Sequence, residues 1–536
     1  MEISFVCKKG YIKYKYSSNA NSQILYVKCK DATLDLPVNY SPESKTYIYI
    51  DLTEFKGEKV ILETQGDFSF TECKKPKLSY FYKNLTGRSY SHFTPPCGHL
   101  NDPNGLFFDG ERYHVYFQYY PYSSKGYEHN LWVRKSWGHL STKDFINFTM
   151  HKNLLNYAKD GAKWSGCAVF DDNLQQIAQE NNLLSFTKQS DACTLKNKSF
   201  VKNKNLVFFF YTLCGEQTQT VGQKPYLQKL AISCDGGYTI AKEQEVLDEF
   251  VPENRDPSVI FVKELNKWAM ALYFNENKYG IFTSENLLNW QYIQTVEIEA
   301  ERECPSLFCL NSEDGKDKYI LSGANGKYLV GDWVDGKLHF SQPTKTVQHH
   351  FNYYASQNFY NSNVSIAWLG QAQQSNSLFL GALTFPIIKT LKTINVQYVL
   401  CHQPAFLENY IQSTLKLKQT FQFKNLKKRA YYFNAICSPK EGSVATISLI
   451  GNKVLVDTYG GFAIVNGRRV NFQPTSKIKI QIIADRYSAE VFFGEGDNCI
   501  TVHNPSSPKK FFIDMSEGFI NAELSPLKRI KVKEEK

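Results

Sequence analysis

From about Tyr90 to Leu400 the chain is a succession of short Tyr-, Phe- and Val-rich runs. Each is cut off by turn chemistry, as at Asp109-Gly110, Asp235-Gly236-Gly237, Asn325-Gly326 and Asp335-Gly336. Aromatic and β-branched side chains suit a pleated, half-buried surface, and Asp-Gly or Asn-Gly pairs supply the backbone of tight turns. Helical periodicity is nearly absent, the best candidate being Asn173 to Ser185. Such punctuation over some three hundred residues restricts this part to an all-β fold, a propeller or a large barrel.

At 536 residues the chain is too long for one core. Before the long repeat, Tyr11 to Tyr16, Tyr47 to Ile50 and Val60 to Glu63 read as strands of a small β-domain over residues 1–82. It holds no cluster of chemistry and is expected to be a structural appendage, with carbohydrate binding or a subunit contact as alternatives. The repeat occupies 88–400. Residues 403–536 read as a β-sandwich, with strands at Ala445 to Ile450, Lys453 to Asp457, Ile478 to Ile483 and Ala489 to Phe493. The lysine-rich tail after Lys528 is expected to fray.

Within the repeat, three acidic residues stand beside prolines at the edges of strand-like runs: Asn101-Asp102-Pro103-Asn104-Gly105, Arg255-Asp256-Pro257 and Glu303-Cys304-Pro305. Asp-Pro-Asn-Gly reads as a turn, since Pro103 fixes φ and Asn104 and Gly105 tolerate a left-handed backbone. Any one of these motifs alone is ordinary turn or surface-pair chemistry. Intervals of 154 and 47 residues fit separate blades whose inner strands meet at one axis, where the three carboxyls can converge on one centre.

The charge balance, 62 basic against 52 acidic residues, is spread along the chain, with local concentrations only at Lys8 to Lys15, Lys424 to Arg429 and the tail. Without a basic stripe or recognition helix, no nucleic acid is expected as partner. The longest apolar run, Leu206 to Cys214, falls far short of a membrane span, so no membrane is expected either. Lysines interrupt the first twenty residues, and thirteen cysteines show no CxxC spacing. Both point to reduced thiols and a cytoplasmic location, although a chain trimmed of a secretory leader would look the same.

Taken in order, the motifs resemble glycoside hydrolase family thirty-two, the invertases, levanases, inulinases and related β-fructosidases. The resemblance runs from about residue 88 to 515. It comprises His92-Phe93-Thr94-Pro95, Leu100 to Gly105, Tyr113 to Pro121, Trp132, Trp137-Gly138-His139, Trp164-Ser165-Gly166-Cys167-Ala168, the Arg255 and Glu303 motifs, and Asp485-Arg486 with Glu490-Val491-Phe492. It implies a five-bladed β-propeller followed by a β-sandwich, and leaves the first eighty residues outside.

The resemblance also implies a reaction, the retaining, exo-acting hydrolysis of terminal β-D-fructofuranosyl units of sucrose, a short fructan or a phosphorylated sucrose. Asp102 would be the nucleophile that forms a covalent fructosyl intermediate, and Glu303 the acid/base. Asp256 would hold fructose hydroxyls in the transition state, and Arg255 would orient that carboxylate or contact the sugar and Glu303. Asp102 must stay ionised, whereas Glu303 must keep a proton near neutral pH, which burial and the charge of Asp102 would favour. Asn101, Gln118, Trp132, Trp164 and Ser165 are further substrate-binding candidates, with Tyr354 and Trp368 as weaker ones. His99, Cys167, Ser306 and Asn352 depart from the family's usual residues near the pocket or its rim. No cofactor or metal is expected, and a small carbohydrate is the expected partner, with homo-oligomerisation through the β-domains possible in principle. The alternatives are a fructosyltransferase using the same intermediate and an inactive carbohydrate-binding propeller.

Overall fold

The structure is a computed structural model that describes residues 1–83, 87–125, 133–158, 160–183, 206–214, 225–350, 352–371, 377–418, 421–424, 426, 430–504, 510–515 and 517–535. It is mostly β, as the turn-punctuated sequence predicts, and no sheet closes into a barrel among the described residues. The large-barrel alternative is therefore set aside. Asn173 to Ser185 supplies the helix Leu174–Glu180, which buries Leu174, Ile177 and Ala178.

The first residues form two sheets. One pairs Glu2–Val6, Lys59–Glu63, Gln23–Cys29 and Ala32–Val38, and the other Tyr47–Asp51, Tyr11–Lys15 and Phe70–Cys73. In Tyr11–Lys15 alternate residues are buried, so Ile12 and Tyr14 face a common core with Leu25, Val27, Ile48, Ile50 and Leu62.

Five sheets follow in chain order, opening with strands Gly98–Phe108, Lys163–Val169, Arg255–Val262, Ser306–Asn311 and Tyr353–Asn358. Each of these strands contacts the next, and the last returns to the first. Apolar clusters fill the spaces between neighbouring sheets. Phe107, Tyr116 and Trp137 meet Phe209 and Tyr211 in one, and Phe208 and Phe210 meet Trp268 and Met270 in another. Two six-stranded sheets complete the chain. Their inward residues, among them Ile447, Val456, Ile480 and Val491, form a single cluster between them.

Two local expectations are corrected. Asp102 to Gly105 is not a free turn but lies within strand Gly98–Phe108, which pairs with Tyr113–Tyr120 through two register shifts, between Leu100 and Pro103 and between Asn104 and Phe107. Residues that make turns also make β-bulges, and a long partner strand decides between the two. Gly105, at φ +54°, has Trp137 and Phe209 within about 3 Å of where a Cβ would stand, so both the bulge and the packing require glycine. The lysine-rich tail does not fray: Lys531–Glu534 pairs in parallel with Asn147–Met150 at the outer edge of the first of the five sheets. Ile530 is buried and Val532 packs on the core, so the tail's few apolar residues anchor it.

Candidate functional site

Asp102, Asp256 and Glu303 come together where the opening strands of these sheets meet. Asp102 lies on the first sheet, Asp256 opens the third, and Glu303 immediately precedes the fourth. A single sulfur bridges the two aspartates, with Cys304 Sγ 3.6 Å from Asp102 Oδ2 and 3.5 Å from Asp256 Oδ2. The Cys304 backbone N–H donates to Asp256 Oδ2 at 3.1 Å.

The backbone here is held in sparsely populated geometry. Asp256 has φ +65°, Glu303 +49° and Cys304 +42°, left-handed values that cost non-glycine residues about 1–3 kcal/mol each. The Asp256 N–H donates to Thr212 Oγ1 at 2.9 Å, which fixes it from the second sheet. Strained backbone of this kind marks a place where surrounding packing over-determines the chain, and here it aims the carboxyls at one point.

Each carboxyl has a different set of partners. Asp102 Oδ2 accepts from Ser165 Oγ at 2.7 Å, and Ser165 Oγ accepts in turn from Gln118 Nε2 at 2.7 Å. Glu303 Oε1 accepts from Arg255 Nη2 at 2.8 Å, and its Oε2 accepts from the Tyr354 hydroxyl. Arg255 is itself fixed by the Glu253 carbonyl at 2.9 Å and lies 4.6 Å over the Tyr273 ring.

These partners reverse the protonation order expected from the sequence. Burial pushes Asp102 up to about 6, with Glu303's charge adding to it and the Ser165 hydroxyl and Lys135 opposing it. Burial also pushes Asp256 up to about 7 against the pull of Arg255. Glu303 is held below the usual carboxylate range, because Arg255 and the Tyr354 hydroxyl outweigh its burial. In the resting site the charge therefore sits first on Glu303, the group expected to hold a proton. Burial and like charge alone would raise Glu303; the two donors, Arg255 and Tyr354, reverse that.

The other candidates spread around this centre. Asn101 Oδ1 accepts from Lys135 Nζ. Trp164 has Arg255 5.9 Å from its ring centroid and the Tyr226 ring edge-on at 5.5 Å. Trp368 stands edge-on to Tyr354 at 5.9 Å, with His99 6.1 Å away on the same ring. Gln118 is buried and committed to Ser165, so it supports the aspartate's partner. Trp132 lies outside the described residues. Three participants carried no assigned role from the sequence: Cys304, Thr212 and Lys135. Cys304 was visible inside its Glu-Cys-Pro motif, and Lys135 as a charge just before Trp137-Gly138-His139. Thr212, inside a Phe-rich and wholly buried strand, gave no signal.

Among the described residues no group of His, Cys, Asp and Glu has the arrangement to hold a metal ion, and no helix is long and apolar enough to cross a membrane.

The description "Glycosyl hydrolases family 32 N-terminal domain" matches residues 92–404. An invertase of Schizosaccharomyces pombe is 27% identical over 371 residues, covering 63% of this chain and 57% of that protein. A levanase of Bacillus subtilis is 25% identical over 486 residues, covering 77% and 66%. The chain thus spans little more than half the length of the first of these relatives. The solved structure of a β-fructofuranosidase from Schwanniomyces occidentalis complexed with fructosyl-erythritol superposes with a TM-score of 0.68 at 20% identity, covering 85% of this chain and 99% of that one. At that identity the likeness is one of fold.

Proposed function

We propose that this chain, which belongs to glycosyl hydrolase family 32 and is a glycoside hydrolase, releases terminal β-D-fructofuranosyl units from sucrose or short fructans with retention of configuration. The observation that carries this reading is the convergence of Asp102, Asp256 and Glu303 on one point from separate sheets. The names of the invertase, levanase and β-fructofuranosidase relatives support the choice of sugar. The five sheets act as the blades of a five-bladed propeller whose axis holds the site, with a β-sandwich behind and the first eighty residues as a separate small domain.

Asp102 attacks the anomeric carbon, and Glu303 gives its proton to the departing oxygen. A water then enters, Glu303 takes its proton, and the fructosyl ester is cleaved. For the first step the proton has to pass from Asp256, the more strongly raised of the two aspartates, to Glu303. A sugar seated over Asp102 and Asp256 excludes water, and its hydroxyls take up the charge of Asp256. Its leaving-group oxygen competes with Tyr354 for Glu303, which raises the affinity of Glu303 for the proton. Asp256 gains most from hydroxyl contacts that tighten as the ring flattens, so it acts on the barrier more than on binding.

A panel of sucrose, sucrose-6-phosphate, a kestose, inulin and levan, with free fructose and its first-formed anomer measured, tests the reading. Release of β-fructofuranose is the expected result. Absence of release from every substrate, or an inverted anomer, would overturn it.

A further inference from the structure

Lys135 occupies an unusual place for a lysine. It is 1% exposed and lies immediately before strand Ser136–Thr142, every residue of which is buried. Its Nζ donates to Asn101 Oδ1, on the residue preceding Asp102, and lies 3.1 Å from His99 Nδ1. An ammonium has only donors, so His99 is neutral here and accepts at Nδ1, with its proton on Nε2. Burial and the neighbouring Lys135 both hold His99 well below its ordinary range, in agreement with a neutral ring.

The position is anchored from both sides. The Lys135 carbonyl accepts from the Lys163 N–H at 2.9 Å, which opens the strand carrying Ser165. The preceding residue, Arg134, is clamped by the first eighty residues: Nη2 pairs with Asp35 Oδ2 at 2.8 Å, and Nε donates to the Asp35 carbonyl at 2.9 Å. The backbone at Lys135 is thus tied to the strand that carries Ser165, the hydroxyl donor to Asp102.

A buried ammonium is costly unless a negative charge offsets it. Asp102 is the carboxylate whose charge does so, while burial draws Lys135 itself down to about 7. The other ionisable groups facing Asp102 include Glu303, Cys304, Asp256 and Tyr354. Against the carboxyls of Glu303 and Asp256, Lys135 is a buried counter-charge.

We infer that Lys135 is a positioning residue for the reaction: its ammonium holds Asn101 and keeps Asp102 in the ionised, attacking form. This rests on the reading of Asp102 as nucleophile. The test compares Lys135→Met, which removes the charge but keeps length and burial, with Lys135→Arg, which keeps the charge. In the pH profile of kcat/KM for sucrose, Lys135→Met is expected to move the acidic limb up by about one unit, the low end of the effect of losing a nearby opposite charge. At a pH on that limb the loss is about tenfold, shrinking at higher pH, and Lys135→Arg retains the parent limb. A variant that is merely less well folded would lose rate equally at every pH. Superimposable limbs for Lys135→Met and the parent would overturn the inference. If the parent hydrolyses none of the fructosides, the function reading has failed on its own. The inference is then decided by infrared difference spectra of the resting protein against Asp102→Asn, in which the Asp102 carboxylate band must titrate higher in Lys135→Met. An unmoved band would overturn it.

Discussion

Two buried clusters of acid and base share this molecule, and they are built on opposite plans. At the hub, Asp102, Asp256 and Glu303 crowd together with one guanidinium in direct contact, the latter two carboxyls on left-handed backbone. At the junction with the C-terminal sheets, His92 stands between Asp485 and Glu490, with Nδ1 2.9 Å from Asp485 Oδ2 and Nε2 2.7 Å from Glu490 Oε1. Asp485 further accepts the N–H groups of Tyr90, Ser91 and Arg486, and Glu490 accepts that of Phe385. Hydrogen bonds and an opposite charge lower Asp485 despite full burial, whereas Asp102 and Asp256 rise. Buried charge that is fully answered holds sheets together. Buried charge left partly unanswered is free to react, and stability is the cost.

Four experiments can break or sharpen that contrast. Asp102→Asn should abolish fructose release while changing the thermal midpoint little, because relief of the like-charge contact with Glu303 is set against the loss of Lys135's counter-charge. A lowered midpoint would mean that the hub, too, is structural. Glu303→Gln should cost about 10²–10⁴-fold with sucrose and far less with an activated aryl fructoside, since only the poorer leaving group needs a proton. Equal losses would remove the acid/base role.

Asp485→Ala should destabilise the fold by about 3–5 kcal/mol in denaturant unfolding, since it strands His92 beside one carboxylate. Its activity per folded molecule should be retained, and a selective loss of turnover would place the junction in the chemistry.

The smallest effect is one of slope. Asp256, raised from 3.8 to about 7, binds more protons folded than unfolded between those values, so its contribution to stability falls as pH rises across that window. The midpoint of Asp256→Asn should therefore decline less than the parent's between pH 4 and 7. His92, raised from 6.5 to about 9, works in the other window: its stabilisation is complete below 6.5 and is lost as pH rises through 9. Identical slopes in the two proteins would show that Asp256 is not the strained group.

Much of this could be read from the chain. Alternation and turn residues marked strands such as Tyr11–Lys15 and Ile478–Ala484, and the three acid-proline motifs marked the residues that converge. What escaped was whatever a distant partner decides. Pro103, Asn104 and Gly105 carry the same local chemistry in a turn and in a bulged strand, and only Tyr113–Tyr120 chooses between them. The protonation order depends on Arg255 and Tyr354, which reach Glu303 from 48 and 51 residues away. Lys135 was hidden because a lysine beside a strand of mixed Ser, His and Thr reads as surface until its burial is known.

Because the reacting carboxyls are mounted on different sheets, their spacing depends on how those sheets seat against one another. Val259 N–H on Cys167 Sγ at 3.3 Å and Leu307 N–H on Ser258 Oγ at 3.0 Å are two of the fasteners at those seams. The pocket therefore works as a caliper whose jaws belong to separate plates. Loosening a seam far from any sugar should register first as a slower reaction, before the protein melts any earlier.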